Sequence, residues 1–454
     1  MSFGGFSALY DHKIGYEALS RMTGMHGTIL SREGEVLYDG REIDGQDCMQ
    51  NVVVGNVYGA AIYSSYPKEL SPSEFPRWKG IHVIGDRKDN VLETTLISRE
   101  AHAELAKYYG YRSPSSVDHE GCVFAYNYKT GEVYVCLSLP ALEPAKDGKN
   151  TMAPNRCSQI LYDPGSTMKY VTTLCALQQF PGLGDPESED YMVHDCHGVE
   201  ALSTGEEIWD NAVHGTCDLT RATRQSCNSF FVELLHRMDV DQTRKALEAM
   251  NFLPKRQPGA GDPSDPMIPM GDMRRMPSYM DYRSADCFED VWGMIGEISS
   301  RVTPIQMAMI AGAASNGGQA VHPYMVSKWI NLTTGQETQY GPDAVDQMFP
   351  AETAETAVEI WKNATDMGYR GEGGLSPAIT YAKTGTNEEG QEKDTNFRML
   401  LGSIEQYDTA FFIVIENVDM TTEEERGNVK QMLMNIANEL AVQLSVHLEN
   451  ETAD

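Results

Sequence analysis

The chain has 454 residues, 41% of them hydrophobic and 22% charged, enough apolar material for a large core and more than one ordinary domain. Its 66 acidic residues outnumber 36 basic ones, a formal charge of −30. This argues against sustained binding to nucleic acid or to an anionic membrane surface, both of which need basic patches.

The first hundred or so residues mix short strand-like runs with Gly and Tyr, and residues 52–57 and 81–84 are two such runs. Residues 92–97 read as a strand leading into a helix over 98–109, capped by Ser98. Residues 112–118 have a linker's composition, so the chain divides into a smaller N-terminal part, 1–115, and a larger part, 116–454. The larger part opens with a hairpin, 122–126 and 133–137, turning at Lys129-Thr130-Gly131. Residues 254–290, rich in Pro, Gly, Met and Asp, read as an irregular surface excursion. A helix follows with Thr303 as cap, Pro304 at its first position and Gly317-Gly318 past its end. Residues 379–382, 398–404 and 409–417 are strand-like. Thr422 and Glu425 form a capping box for a last amphipathic helix through Val429, Met432, Ile436, Leu440 and Leu444. The order of elements implies an α+β fold, an antiparallel sheet flanked by helices.

Nine cysteines lie scattered without metal-ligand spacing. His194-Asp195-Cys196-His197, with Cys217 downstream, comes nearest to a metal cluster but matches no structural zinc pattern, so no metal or cofactor is expected. A Cys196–Cys217 disulfide stays open. No apolar run reaches the length of a membrane span, and the N-terminus lacks the basic and apolar regions of a signal peptide.

Three short motifs carry chemistry. Asp163-Pro164-Gly165-Ser166 is a turn feeding a helix, so Ser166 sits at a helix N-terminus, where free N–H groups favour developing negative charge. Lys169 follows by three and stands over the same face. An ordinary lysine is protonated at neutral pH, but one buried beside a second cation can lose its proton and take one from Ser166. Lys383 is the candidate second cation. Ser226-Cys227-Asn228 lies in a break between two helix-like stretches, which can present a hydroxyl and an amide to a cleft. In Lys383-Thr384-Gly385-Thr386, at the end of a strand-like run, Gly385 lets a substrate backbone approach while Lys383 and the threonines can hold a carboxylate. Taken singly, each motif is also explained by a helix cap, a solvated charge or a strand ending in a turn. The earlier Lys129-Thr130-Gly131 is best explained as a hairpin turn. The ordered trio S-x-x-K, S-x-N, K-T-G is the active-site set of penicillin-binding proteins and serine β-lactamases.

From about residue 118 onward the chain resembles a monofunctional, class B penicillin-binding protein. Residues 155–169 around the nucleophile, 214–219 before Ser226, 295–306 and 381–388 are all similar to that family. Upstream, residues 26–37 and 82–85 resemble landmarks of the family's N-terminal pedestal. The resemblance implies a penicillin-binding-protein/serine β-lactamase-like transpeptidase domain on a pedestal domain, with no cofactor. It implies that Ser166 attacks the carbonyl between two terminal D-alanines of a peptidoglycan stem peptide, with Lys169 as general base and Ser226 as proton relay. Asn228 would bind the donor amide, and Lys383, Thr384 and Thr386 its carboxylate. The Ser166 and Thr386 N–H groups would form the oxyanion hole. An amine from a second stem peptide would resolve the acyl-enzyme, β-lactam antibiotics would trap it, and a membrane glycan polymerase would be the partner.

The family's membrane anchor is not found before residue 20, and the expectation is an ectodomain acting at the extracytoplasmic face of the bacterial membrane with its anchor trimmed. Three rival readings are a serine β-lactamase, a D,D-carboxypeptidase that uses water in place of the amine, and a non-catalytic β-lactam sensor or scaffold. Against the β-lactamase stand the length, the extra N-terminal part and the lack of an obvious deacylating glutamate between Ser226 and Lys383.

Overall fold

The computed structural model describes residues 28–39, 90–112, 116–140, 142–144, 150–254, 268–270, 273–371, 373–387, 396–418 and 422–449. The strand-like runs at 52–57 and 81–84, the landmark at 82–85 and residues 113–115 of the linker lie outside them.

The principal strands are β1 (Thr28–Leu30), β2 (Val36–Asp39), β3 (Asn90–Thr94), β4 (Gly121–Asn127), β5 (Val133–Leu139), β6 (Val326–Asn331), β7 (Gln336–Gln339), β8 (Tyr381–Asn387), β9 (Phe397–Ile404) and β10 (Thr409–Glu416). The helices are α1 (Arg99–Lys107), α2 (Met168–Leu177), α3 (Leu219–Gln225), α4 (Asn228–Arg237), α5 (Val240–Ala249), α6 (Phe288–Ile295), α7 (Pro304–Ser315), α8 (Ala351–Gly368) and α9 (Glu423–Leu448).

At the centre is a five-stranded antiparallel sheet in the order β8-β9-β10-β4-β5. β4 and β5 are buried along their whole length and β10 to its last residue but one, which is why they read as nearly continuous apolar runs and not as alternating ones. One face packs against α2, α7 and α8 through Tyr126, Tyr170, Met309, Trp361, Tyr381 and Phe412. The other packs against α1 and α9 through Leu105, Leu400, Phe411, Ile436 and Leu440. β8 stands at the sheet's edge.

Every residue of α2 is buried, so it is a core helix. Tyr170 stacks on Trp361 of α8 at 3.9 Å between ring centres and donates its hydroxyl proton to Ala382 O of β8 at 3.0 Å. These contacts press α2 against the edge strand.

The predicted caps form as expected. Ser98 Oγ accepts from Ala101 N, Thr303 Oγ1 from Gln306 N, and Thr422 and Glu425 close a capping box on α9. The residues 129–131 are a hairpin turn, with Asn127 Oδ1 accepting from Lys129 N and Thr130 N.

One feature goes beyond the sequence reading and one differs from it. First, a second sheet, ordered β7-β6-β3-β1-β2, joins strands from residues 28–94 with two from residues 326–339. Helix α1 lies on the central sheet, and Tyr109 donates to Cys122 O and Val414 O there. The N-terminal strands are thus stitched into the larger part. Second, residues 273–290 are not a surface excursion. Arg275, Tyr279, Met280, Tyr282 and Asp290 are buried, with Asp290 paired to Arg283. Met and Tyr supply the apolar area that the Pro and Gly content masked.

Candidate active site

The turn that carries Ser166 is locked by its neighbours. Asp163 is buried, paired with Arg301, and its Oδ2 accepts from Asn387 Nδ2 of β8 at 3.1 Å. Gly165 has φ +51°, and a Cβ there would lie 2.5 Å from Thr386 O, so only glycine lets the turn rest on the strand. Gly165 N donates to Gly296 O at 2.8 Å. Ser166 follows in a single 3₁₀ turn, Gly165–Thr167, that leads into α2.

Lys169, one turn on, is fully buried. Its Nζ lies 3.1 Å from Ser166 Oγ, 2.6 Å from Ser226 O, 3.3 Å from Ser226 Oγ and 2.5 Å from Asn228 Oδ1. Burial pulls its pKa down to about 8, against the opposing pull of Asp210, Cys227 and Glu297.

Ser226 caps the end of α3 in the left-handed conformation, φ 58° and ψ 35°. That region is rarely adopted by a non-glycine residue, and strain of this kind gathers at functional sites. Cys227 then caps α4 through its sulfur, which accepts from Phe230 N at 3.4 Å. The break between two helices aims Ser226 and Asn228 at Lys169, while Asn228 Nδ2 donates to Trp209 O at 2.8 Å.

From the opposite side, Lys383 Nζ donates to Ser226 Oγ at 3.0 Å and to Thr384 O at 2.9 Å. Burial, then Lys169 and Lys430, hold Lys383 well below the ordinary lysine range. Two ammonium groups sharing one hydroxyl in a dry site cannot both keep full charge at little cost.

Ser166, Lys169, Ser226, Asn228 and Lys383 therefore meet at one point. Gly385 passes over the turn that carries Ser166, where a Cβ would lie 2.6 Å from Pro164 O. Thr384 is turned to Tyr369, with 2.9 Å between its Oγ1 and the tyrosine oxygen. The Thr386 hydroxyl accepts from Arg398 on β9. The motif lies inside β8, not after a strand that ends before it.

Tyr369, Arg398 and Gly296 were not singled out from sequence. Strand register brings in Arg398, the end of α8 brings in Tyr369, and the end of α6 brings in Gly296. Nor was a glutamate near the site expected between Ser226 and Lys383. Yet Glu297 directly follows Gly296, whose carbonyl holds the Ser166 turn, and it acts electrostatically on Lys169.

A further donor cluster lies behind the Ser226 motif. One ligand atom each from Cys196, Asp210, His214 and Cys227 falls within 4.8 Å of all the others. Cys196 Sγ is 3.6 Å from Asp210 Oδ2 and 3.7 Å from His214 Nδ1, and Asp210 Oδ2 is 3.5 Å from His214 Nδ1. Tetrahedral Zn²⁺ with bonds of about 2.0–2.3 Å puts its ligands roughly 3.5 Å apart, so Cys196, Asp210 and His214 have the spacing of ligands to that ion, with Cys227 within 4.8 Å of each. Burial pushes the Cys227 thiol well up, and a bound cation would be what deprotonates it. The expectation of no metal cluster considered local spacing, whereas this set is gathered by the fold. Of His194, Asp195, Cys196, His197 and Cys217, only Cys196 takes part. His194 binds Ser229 and Glu200, His197 is exposed, and the Cys217 thiol donates to Gln225. The described cysteines, Cys196 and Cys217 among them, are free thiols.

Comparison with known proteins agrees with this geometry. Residues 121–440 match the family model described as penicillin binding protein transpeptidase domain. The chain is 21% identical over 373 residues to peptidoglycan D,D-transpeptidase MrdA of Acinetobacter baumannii, covering 70% of this chain and 53% of that protein. It is 26% identical over 304 residues to peptidoglycan D,D-transpeptidase PbpA of Mycobacterium tuberculosis, covering 60% and 56%. The chain thus spans about half the length of the curated relatives it matches. The solved penicillin G acyl-enzyme complex of penicillin-binding protein A from M. tuberculosis superposes with a TM-score of 0.63 at 19% identity, covering 91% of this chain and 99% of that one. The α+β fold expected from sequence is the fold of these transpeptidase domains. With 320 of its 454 residues inside the family model, the chain belongs to the penicillin-binding protein transpeptidase domain family.

Proposed function

We propose that this chain is a peptidoglycan D,D-transpeptidase working through a serine acyl-enzyme. The observation that carries the reading is the shared hydroxyl. Lys169 Nζ lies 3.1 Å from Ser166 Oγ and 3.3 Å from Ser226 Oγ, and Lys383 Nζ reaches the same Ser226 Oγ at 3.0 Å.

Neutral Lys169 takes the Ser166 proton as Oγ attacks the penultimate D-alanine carbonyl, and the backbone N–H groups of Ser166 and Thr386 hold the oxyanion. On collapse, the proton passes through Ser226 to the departing amine, and the last D-alanine leaves. An amine of a second stem peptide then attacks the ester, gives up its proton by the same route, and restores Ser166. Asn228 binds the donor amide, while Thr384, Thr386 and Lys383 face its carboxylate.

Relatives named as peptidoglycan D,D-transpeptidases and a neighbour solved as a penicillin G acyl-enzyme support the reading. They also support action outside the cytoplasm. A membrane glycan polymerase as partner, anchoring by a further segment, and a boundary near residue 115 between pedestal and catalytic parts belong to the same proposal. No described helix is long and apolar enough to cross a membrane.

Glu297 favours a second reading, hydrolysis of the acyl-enzyme, because it puts a carboxylate near Lys169. The test is a D-Ala-D-Ala donor peptide with and without an amine acceptor. Cross-linked product supports transpeptidation, release of D-alanine to water alone supports hydrolysis, and no release from folded protein contradicts both.

A further inference from the structure

Ile298 has φ +59°, in the left-handed region. The other described non-glycine residues with positive φ are Ser226, Asn251, Asp408 and Asn417. Short polar side chains of those types tolerate the region, whereas a β-branched side chain crowds the backbone there. Such strain persists only where the surroundings impose it, and it gathers at functional sites.

The surroundings of Ile298 include the turn that carries Ser166. Two residues before it, Gly296 O accepts from Gly165 N at 2.8 Å. Its own carbonyl accepts from Arg301 Nη1 at 3.3 Å, and the same guanidinium pairs with Asp163. Glu297, lying between the two, acts electrostatically on Lys169. Residues 296–298 are thus tied at both ends to residues 163–165, and the strained conformation is fixed beside the reacting hydroxyl.

A fixed backbone explains the dihedral but not the choice of isoleucine. Glycine adopts positive φ without strain, as Gly296 does in the same loop at φ +111°. Nor does packing within the chain fully offset the strain. Ile298 is 39% exposed, whereas Ile295 and Val302, on either side of it in sequence, are buried. Trp209 is a second large apolar side chain left in solvent here: it is 61% exposed, and its carbonyl accepts from Asn228 Nδ2 at 2.8 Å. Apolar surface of this kind gains free energy when a ligand covers it.

We propose that Ile298 is a specificity-determining residue, the apolar contact beside Ser166 that favours acyl donors carrying an apolar group next to the reacting carbonyl. This rests on the acyl-enzyme reading above and adds to it an origin for selectivity on the acyl side of the donor.

The experiment measures second-order acylation by benzylpenicillin and by its acetyl analogue, which keeps the amide but lacks the phenyl ring. Intact mass is followed in the unaltered chain, Ile298→Gly and Ile298→Asn, two residues that accept the left-handed conformation. Covering the exposed part of one isoleucine side chain corresponds to about 3–10-fold in rate. The preference for benzylpenicillin over the acetyl analogue should fall by about that factor in both variants. Should the glycine variant not fold, the asparagine variant carries the test, with the same fall expected. An unchanged preference overturns the proposal. So does an equal slowing with both compounds, which would mean that Ile298 merely props the loop. If neither compound labels Ser166 of the unaltered chain, the acyl-enzyme reading itself fails and takes this proposal with it.

Discussion

Lys169 is the residue most sensitive to charge, because the proposed mechanism requires it neutral while it sits among polar groups. Its pKa is lowered to about 8 by burial. A lowered lysine pKa means the proton is lost on going upward through pH 8, so the basic form, and with it acylation, should increase as pH rises through about 8. A pH profile of benzylpenicillin acylation that falls over that range would remove Lys169 from the role. Lys169→Arg replaces the base with a permanent cation and should slow acylation by about 10²–10⁴-fold, the usual contribution of general-base catalysis. Gly296 is equally exacting: it has φ +111°, and a Cβ there would lie 1.7 Å from Gly165 O. Gly296→Ala should displace the nucleophile turn and cost about 1–3 kcal/mol in urea unfolding, with acylation falling as well. Normal stability together with normal acylation would show that the turn does not depend on that contact. At this scale the sequence was informative where chemistry is local. The three-residue step from Ser166 to Lys169 is a helix turn and can be read directly. Asp163 and Arg398 could not be read as working residues, because their partners Asn387 and Thr386 lie 224 and 12 residues away and are found only through the fold.

Among the elements, β8 has the least clear local signal for its bounds. Residues 379–382 read as strand because they are apolar, while Lys383-Thr384-Gly385-Thr386 has a turn's composition. The strand nonetheless runs from Tyr381 to Asn387, because β9 pairs with every residue of it and α2 packs beneath. Edge position permits this: one side of β8 is a ladder and the other faces the site. Helices with local signals, such as α7 with Thr303 and Pro304 or α9 with its capping box, were legible, since a cap involves only neighbours in sequence. Trp361 ties α8 to α2 and the strand, stacked on Tyr170 and fully buried. Trp361→Ala should therefore cost about 3–5 kcal/mol, read as a lower urea midpoint, and should slow acylation as α2 loosens against β8. A loss below about 1 kcal/mol would mean that the stack does not brace the site.

Across the whole molecule, the two sheets are not independent. β6 and β7, from the larger part, complete the sheet that holds β1, β2 and β3. A cut near residue 115 would leave that sheet with unpaired edges. Composition suggested the linker there, but nothing local in residues 326–339 signals which sheet they join. The cluster of Cys196, Asp210, His214 and Cys227 is also a property of the assembled fold. The purified chain should carry one Zn²⁺ by native mass spectrometry, and Cys227→Ser should lose it. Absence of metal after refolding with excess zinc would contradict the fit of these donors. The central claim is that Ser166 is an acylating nucleophile, and it is tested most directly by incubating the folded chain with benzylpenicillin, following intact mass over time and mapping the adduct by digestion. The account predicts one penicilloyl group, carried on Ser166 and absent from Ser166→Ala. Folded protein that stays unlabelled, or that is labelled elsewhere, would contradict it.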